Sequence, residues 1–179
     1  MILKKYFFDA DGVLFLYERD AYVGENPRWL QKDQHYFRNL QPDRKMMEIV
    51  DMLHQRSRYT GDEIYILTSL LNDGMLFNEH FHDKIASFHR HFPYIDIDHI
   101  IISTGSKRND VEYITNNAIS SSDILIDDYN KNLNEWSIAG GTSIKYCNGI
   151  NDPKSFNGMK INENNESVKT ILQTLTNLA

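Results

Sequence analysis

The sequence predicts an α/β fold: a Rossmann-like parallel sheet of about five strands with helices on both faces and a small cap inserted after the first strand. Two observations carry this expectation. Short apolar runs of strand length alternate along the chain with longer stretches of helical period. The runs are apolar throughout, as in strands covered on both faces.

The first strand is expected over residues 2–8 and breaks off abruptly into Asp9-Ala10-Asp11-Gly12. Residues 13–41 leave the rhythm: they are rich in Tyr, Trp, Phe and charges, with Pro27 and Pro42 as punctuation, and read as a cap or lid. A helix follows over 43–56, with Met46, Met47, Ile49, Val50 and Leu53 on one face. Strands are then predicted over 63–67, 99–102, 124–126 and 143–147, and helices over 75–92, 110–117, 133–139 and 167–178. Gly140-Gly141 closes the third of these helices. Residues 148–166 are rich in Asn and carry Gly and Pro breakers, so they predict a surface loop or a small hairpin around Asn157-Gly158. There is no internal repeat.

At 179 residues, one domain spanning 1–179 is expected, with 13–41 as an insertion in it. The 41% hydrophobic and 12% aromatic content suffices for a packed core and excludes disorder over most of the chain. Acidic residues outnumber basic ones by 25 to 19, and no Lys/Arg run could track a polyanion, which excludes duplex nucleic acid as a partner. No stretch approaches the roughly 18 consecutive apolar residues of a membrane span. The single cysteine, Cys147, cannot form an internal disulfide and reads as a small core residue. The opening MILKKYFF lacks a signal-peptide apolar stretch, so a cytoplasmic protein is expected. Nothing in the sequence specifies an oligomeric state.

In a parallel α/β sheet, ligands sit beyond the carboxyl ends of the strands. The polar residues that end the apolar runs fall there: Asp9 and Asp11, then Thr68 and Ser69, then Asp127 and Asp128, with Lys107 after the third strand at the start of a helix. Four carboxylates thus meet at one sheet edge. At about 4 Å and an effective dielectric near 20, each like-charge pair costs on the order of 4 kcal/mol, so the cluster calls for a cation. All-oxygen ligands favour a hard ion, with Mg²⁺ the natural choice. His80, His82, His89 and His91 are spaced by two within each pair, which places partners on different helix faces and argues against a zinc site.

In chain order, Asp9-Ala10-Asp11-Gly12-Val13, Leu67-Thr68-Ser69, Lys107 and Ile126-Asp127-Asp128 resemble the four motifs of the haloacid dehalogenase (HAD) superfamily of phosphotransferases, over roughly residues 2–147. The resemblance implies a Mg²⁺-dependent phosphomonoester hydrolase. In it, Asp9 attacks phosphorus to form an aspartyl-phosphate, and Asp11 protonates the leaving oxygen and then deprotonates the water. Thr68, Ser69 and Lys107 bind the phosphate. Asp9, the backbone carbonyl of Asp11, and Asp128 hold the metal, with Asp127 a supporting partner or an alternative ligand.

A narrower resemblance is to the 5'(3')-deoxyribonucleotidases, carried by the ILTS after the second strand, the ILIDD after the fourth, and Tyr36-Phe37-Arg38-Asn39-Leu40-Gln41-Pro42. It implies a nucleoside monophosphate substrate and puts Tyr17, eight residues after Asp9, where a ring stacks on the base. Trp29, Tyr36 and Phe37 are further aromatics for that role or for the cap's own core. Two features depart from that group: an insertion of only about 29 residues, and Tyr129 in place of an arginine after the aspartate pair. Other readings are a phosphatase of another small phosphomonoester, such as a sugar phosphate, and a catalytically idle nucleotide-binding regulator. Retention of both Asp9 and Asp11 argues against the idle form.

Overall fold

A computed structural model describes residues 3–16, 35–70, 76–149, 151 and 154–178. Along the chain these form β1 (Lys5–Phe8), β2 (Phe15–Leu16), α1 (Tyr36–Asn39), β3 (Gln41–Pro42), α2 (Arg44–Thr60), β4 (Glu63–Ser69) and α3 (Phe77–His91). There follow β5 (Ile100–Ser103), α4 (Lys107–Thr115), β6 (Asp123–Asp127), α5 (Asn130–Ile138), β7 (Thr142–Cys147), β8 (Met159–Asn162) and α6 (Val168–Asn177). Six strands make one sheet in the order β5-β4-β1-β6-β7-β8, and every pairing in it is parallel.

The central strand is the first in the chain. Phe8 of β1 pairs with Ile66 of β4 on one side and Ile126 of β6 on the other. The chain winds outward from β1 in both directions, which opens a crevice at the carboxyl ends of these three strands.

Both faces of the sheet are covered. Tyr6 and Phe8 point into one core with Met46, Ile49, Val50 and Leu53 of α2, Phe88 of α3, and Ile171 and Leu175 of α6. Phe7 points into the other with Val111 of α4 and with Leu133 and Trp136 of α5. This two-sided burial is why the strands read as unbroken apolar runs. Asp43 starts α2 by accepting from the backbone N–H groups of Lys45 (2.9 Å) and Met46 (3.1 Å). Gly61, at φ +78°, ends it. Among the described residues no helix is long and apolar enough to cross a membrane.

Several boundaries differ from expectation. The sheet has one strand more than the five apolar runs, because Met159–Asn162, expected as loop or hairpin, pairs in parallel with β7 from Ile144↔Met159 to Cys147↔Asn162. Only Ile161 of that edge strand is buried, so no apolar run marks it. Ile97–His99 forms a 3-10 turn and β5 begins at Ile100. The third long helix, α4, starts at Lys107 because the Ser106 side chain accepts from the backbone N–H of Asn109. Ile2 and Met75 lie outside the described residues.

Of the insertion, the two arms are described. Phe15 pairs with Pro42 and Leu16 with Gln41, so the chain leaves and returns side by side on a short antiparallel ribbon. Val13, Leu14, Phe15, Tyr36, Phe37 and Leu40 are buried in the main core. Residues 17–34, including Tyr17 and Trp29, lie outside the described residues.

Candidate active site

Each candidate side chain is delivered by a strand end or the first turn beyond it. The Asp9 backbone N–H donates to Ile126 O (2.9 Å), which holds the exits of β1 and β6 together. The chain then turns sharply, Leu14 and Phe15 N–H both donating to Ala10 O at 2.9 and 2.8 Å. Gly12 sits in this turn at φ +88°, where a Cβ would lie 2.4 Å from Asp128 Oδ2 and 2.8 Å from Asn148 Nδ2. Only glycine lets the turn pack this close to the aspartate pair.

Asp9, Asp127 and Asp128 are all buried, and one carboxylate oxygen from each lies within 4.8 Å of the others. Lys107, at the start of α4, places its Nζ 2.7 Å from Asp9 Oδ1 and 2.7 Å from Asp127 Oδ2. Asp127 is further held by the Tyr129 N–H on Oδ1 (2.7 Å) and by Asn132 Nδ2 on Oδ2 (3.0 Å). Asp128 Oδ2 accepts from Asn148 (2.8 Å) and Asn151 (2.9 Å). Lys145, wholly buried in β7, donates to the Asp128 carbonyl at 2.7 Å. Among the described residues no hydrogen bond engages Asp9 Oδ2 or Asp128 Oδ1, whereas both oxygens of Asp127 are committed.

A second group lies beside the first. Thr68 Oγ1 donates to Asp11 Oδ2 (3.2 Å), and Lys84 of α3 donates to the same Asp11 oxygen and to Thr68 Oγ1 (2.9 Å). The Lys84 ammonium lies 4.1 Å from the centre of the Phe37 ring.

Burial, reinforced by the charge of Asp127, raises the Asp9 carboxyl well above the usual carboxylate range, with Lys107 opposing. The same two causes push Asp128 up to about 7, against the amides of Asn148 and Asn151. Burial alone would lower Lys107, but the Asp127 and Asp9 carboxylates outweigh it and hold the ammonium above the ordinary lysine range. Burial pulls Lys84 down against the attraction of Asp11. Four carboxylates here are paired by two ammonium groups, Lys84 and Lys107, while a third, Lys145, reaches only the Asp128 main-chain carbonyl, so a negative surplus remains. A divalent cation would cancel that surplus, and the all-oxygen donors of Asp9, Asp127 and Asp128 suit a hard one.

The structure therefore brings together Asp9, Asp11, Thr68, Lys107, Asp127 and Asp128. Ser69 is exposed at the end of β4, outside this group. Sequence reasoning missed Lys84, Asn148, Asn151 and Lys145. Lys84 gave no sequence signal: His80, Asp83, Lys84, Ser87 and Phe88 share one face of α3, but a face so polar reads as solvated, and only the structure shows that it is buried.

No family model and no curated protein matches the chain. Solved structures do. D,D-heptose 1,7-bisphosphate phosphatase from B. bronchiseptica, complexed with magnesium and phosphate, aligns over 99% of this chain and 100% of its own with a TM-score of 0.65 and 12% identity. A HAD-superfamily hydrolase from Ehrlichia chaffeensis aligns over 99% of both chains with a TM-score of 0.59 and 16% identity. D,D-heptose 1,7-bisphosphate phosphatase from Burkholderia thailandensis covers 97% of this chain and 99% of its own, with a TM-score of 0.61 and 9% identity. At such identities the likeness establishes the fold, the Rossmann-like fold of HAD phosphatases.

Proposed function

We propose that this chain is a Mg²⁺-dependent hydrolase of small phosphomonoesters. The observation that carries the reading is the buried trio Asp9, Asp127 and Asp128, bridged by Lys107 and set beside the Asp11–Thr68 pair at the carboxyl ends of β1, β4 and β6. Asp9 and Asp128, each with an uncommitted oxygen, would hold the metal together with the main-chain carbonyl of Asp11. Asp127, hydrogen-bonded on both oxygens by Lys107, Asn132 and Tyr129, orients Lys107. When bound, Mg²⁺ supplies positive charge that offsets repulsion between the carboxylates and a phosphate dianion.

The protein groups then divide the work. A carboxylate oxygen of Asp9 forms a bond to phosphorus as the ester P–O bond breaks, and Asp11 gives its proton to the departing oxygen. Asp11 next takes a proton from water as that water attacks phosphorus, which frees phosphate and restores Asp9. Lys107 and Thr68 hold the transferring oxygens.

Two substrate classes are in play. The likeness to deoxyribonucleotidases favours nucleoside monophosphates, with Tyr17 against the base. Two of the fold neighbours act on a heptose bisphosphate, which favours sugar phosphates equally. Phosphate release from a panel of nucleoside monophosphates and sugar phosphates, with Mg²⁺ and with chelator, decides. Release from neither class would sink the hydrolase reading, and nucleotide binding without release would point to the idle regulator.

A further inference from the structure

The Lys84 ammonium is wholly buried, yet it belongs to none of the four sequence motifs. An ammonium has three N–H donors. Those of Lys84 go to Asp11 Oδ2, to Thr68 Oγ1 at 2.9 Å, and toward the face of the Phe37 ring at 4.1 Å. Lys107 differs. It reaches Asp9 Oδ1 and Asp127 Oδ2, both at 2.7 Å, and the described residues take up no third donor. One lysine keeps a donor for substrate and the other does not.

Lys84, Thr68 and Asp11 close a triangle. Thr68 accepts from Lys84 and donates to Asp11 Oδ2 at 3.2 Å, so that oxygen is gripped from two sides. Asp11 Oδ1 has no hydrogen bond among the described residues and is the oxygen left to face an ester. The cation is itself seated by the insertion: Phe37, on the returning arm, is buried and stands edge-on to His80 of α3 with ring centres 5.1 Å apart.

We propose that Lys84 is a positioning residue for Asp11, fixing which carboxylate oxygen meets the leaving group. This rests on the phosphoryl-transfer reading of the site. A cation acting through Asp11 matters only where Asp11 matters, which separates it from a phosphate contact and from a plain core ion pair.

The test compares Lys84→Met, Asp11→Asn and the double variant on two esters. Ribose 5-phosphate has an alkyl leaving oxygen that needs a proton, and 2,4-dinitrophenyl phosphate has one that does not. Lys84→Met should lower kcat for ribose 5-phosphate by about 10²-fold or more, within the share of a positioned acid–base group, with KM nearly unchanged and a much smaller loss on the aryl ester. In the Asp11→Asn background the same substitution should cost about twofold or less, and Lys84→Arg should recover part of the loss. Equal losses on both esters, or an undiminished loss in the Asp11→Asn background, would overturn the proposal. Lys84→Met leaves a buried carboxylate unpaired and can fail to fold. In that case Lys84→Arg, in both Asp11 backgrounds, carries the comparison. Wild-type protein that hydrolyses no ester would instead refute the hydrolase reading. Urea unfolding of the same four proteins then still decides, since additive stability losses at Lys84 and Asp11 would refute the pairing.

Discussion

Asp9→Asn keeps the Oδ1 acceptor that takes the Ala10 N–H at 2.8 Å and faces Lys107, while removing a buried charge next to Asp127. The variant should therefore melt no lower than wild type in a thermal scan. Its turnover should fall by on the order of 10³-fold or more, as expected when a nucleophile is lost. Near-normal phosphate release would exclude Asp9 from bond formation. Asp128 carries a second prediction. Its carboxyl sits at about 7 in the metal-free protein, against roughly 3.9 in an unfolded chain. Between those values the native state binds more protons than the unfolded state, so the metal-free protein loses stability as pH rises through that window. Mg²⁺ takes the ionised form. Its stabilising effect should grow over the same range, so saturating Mg²⁺ should raise the melting temperature more near pH 8 than near pH 5.5. A shift independent of pH would remove Asp128 from the metal site. Asp9, Asp11, Thr68, Lys107 and the aspartate pair were legible because each ends an apolar run or begins a helix. Lys84 was not, because a lysine amid His, Asp and Ser on a helix looks solvated until the buried face is known.

At the scale of elements, β1, β4 and β6 could be read because two-sided burial demands apolar residues at every position. β8 could not: three of its four residues are exposed, and the Asn-rich flanks resemble a turn. Its Ile161 joins the same buried core as Ile171 and Leu175 of α6, both fully buried. Leu175→Ala should cost about 2–5 kcal/mol in urea unfolding. The kcat of the folded fraction should stay unchanged, because none of the described contacts of α6 involves the carboxylate cluster. A selective loss of kcat without loss of stability would mean that α6 communicates with the site. The ribbon of β2 and β3 escaped prediction because two residues per strand are too few to show a period.

At the scale of the whole molecule, the prediction concerns substrate class. Tyr17 directly follows β2. If its ring meets a nucleobase, Tyr17→Ala should reduce kcat/KM for nucleoside monophosphates by the equivalent of about 1–3 kcal/mol, with little change for ribose 5-phosphate. A uniform fall across both substrates would assign the tyrosine to holding the insertion together. The fold class was legible because the alternation of runs and helices runs nearly the whole length of the chain. Substrate class was not legible, because residues 13–41 carry neither that alternation nor a motif.

The placement of β1 at the centre of the sheet also sets a timetable. A ribosome releases Tyr6, Phe7 and Phe8 first, but their partners arrive only with Ile64–Ile66 and then Ile124–Ile126. At roughly 5–20 residues per second, this aromatic strand waits on the order of 10 s for its second neighbour. Asp9 meets Asp127 and Asp128 no sooner. A nascent chain arrested before Asp123 should thus be protease-sensitive throughout and bind chaperone through the Lys5–Phe8 strand, whereas arrest with Asn177 clear of the exit tunnel should yield the protected fold in one step.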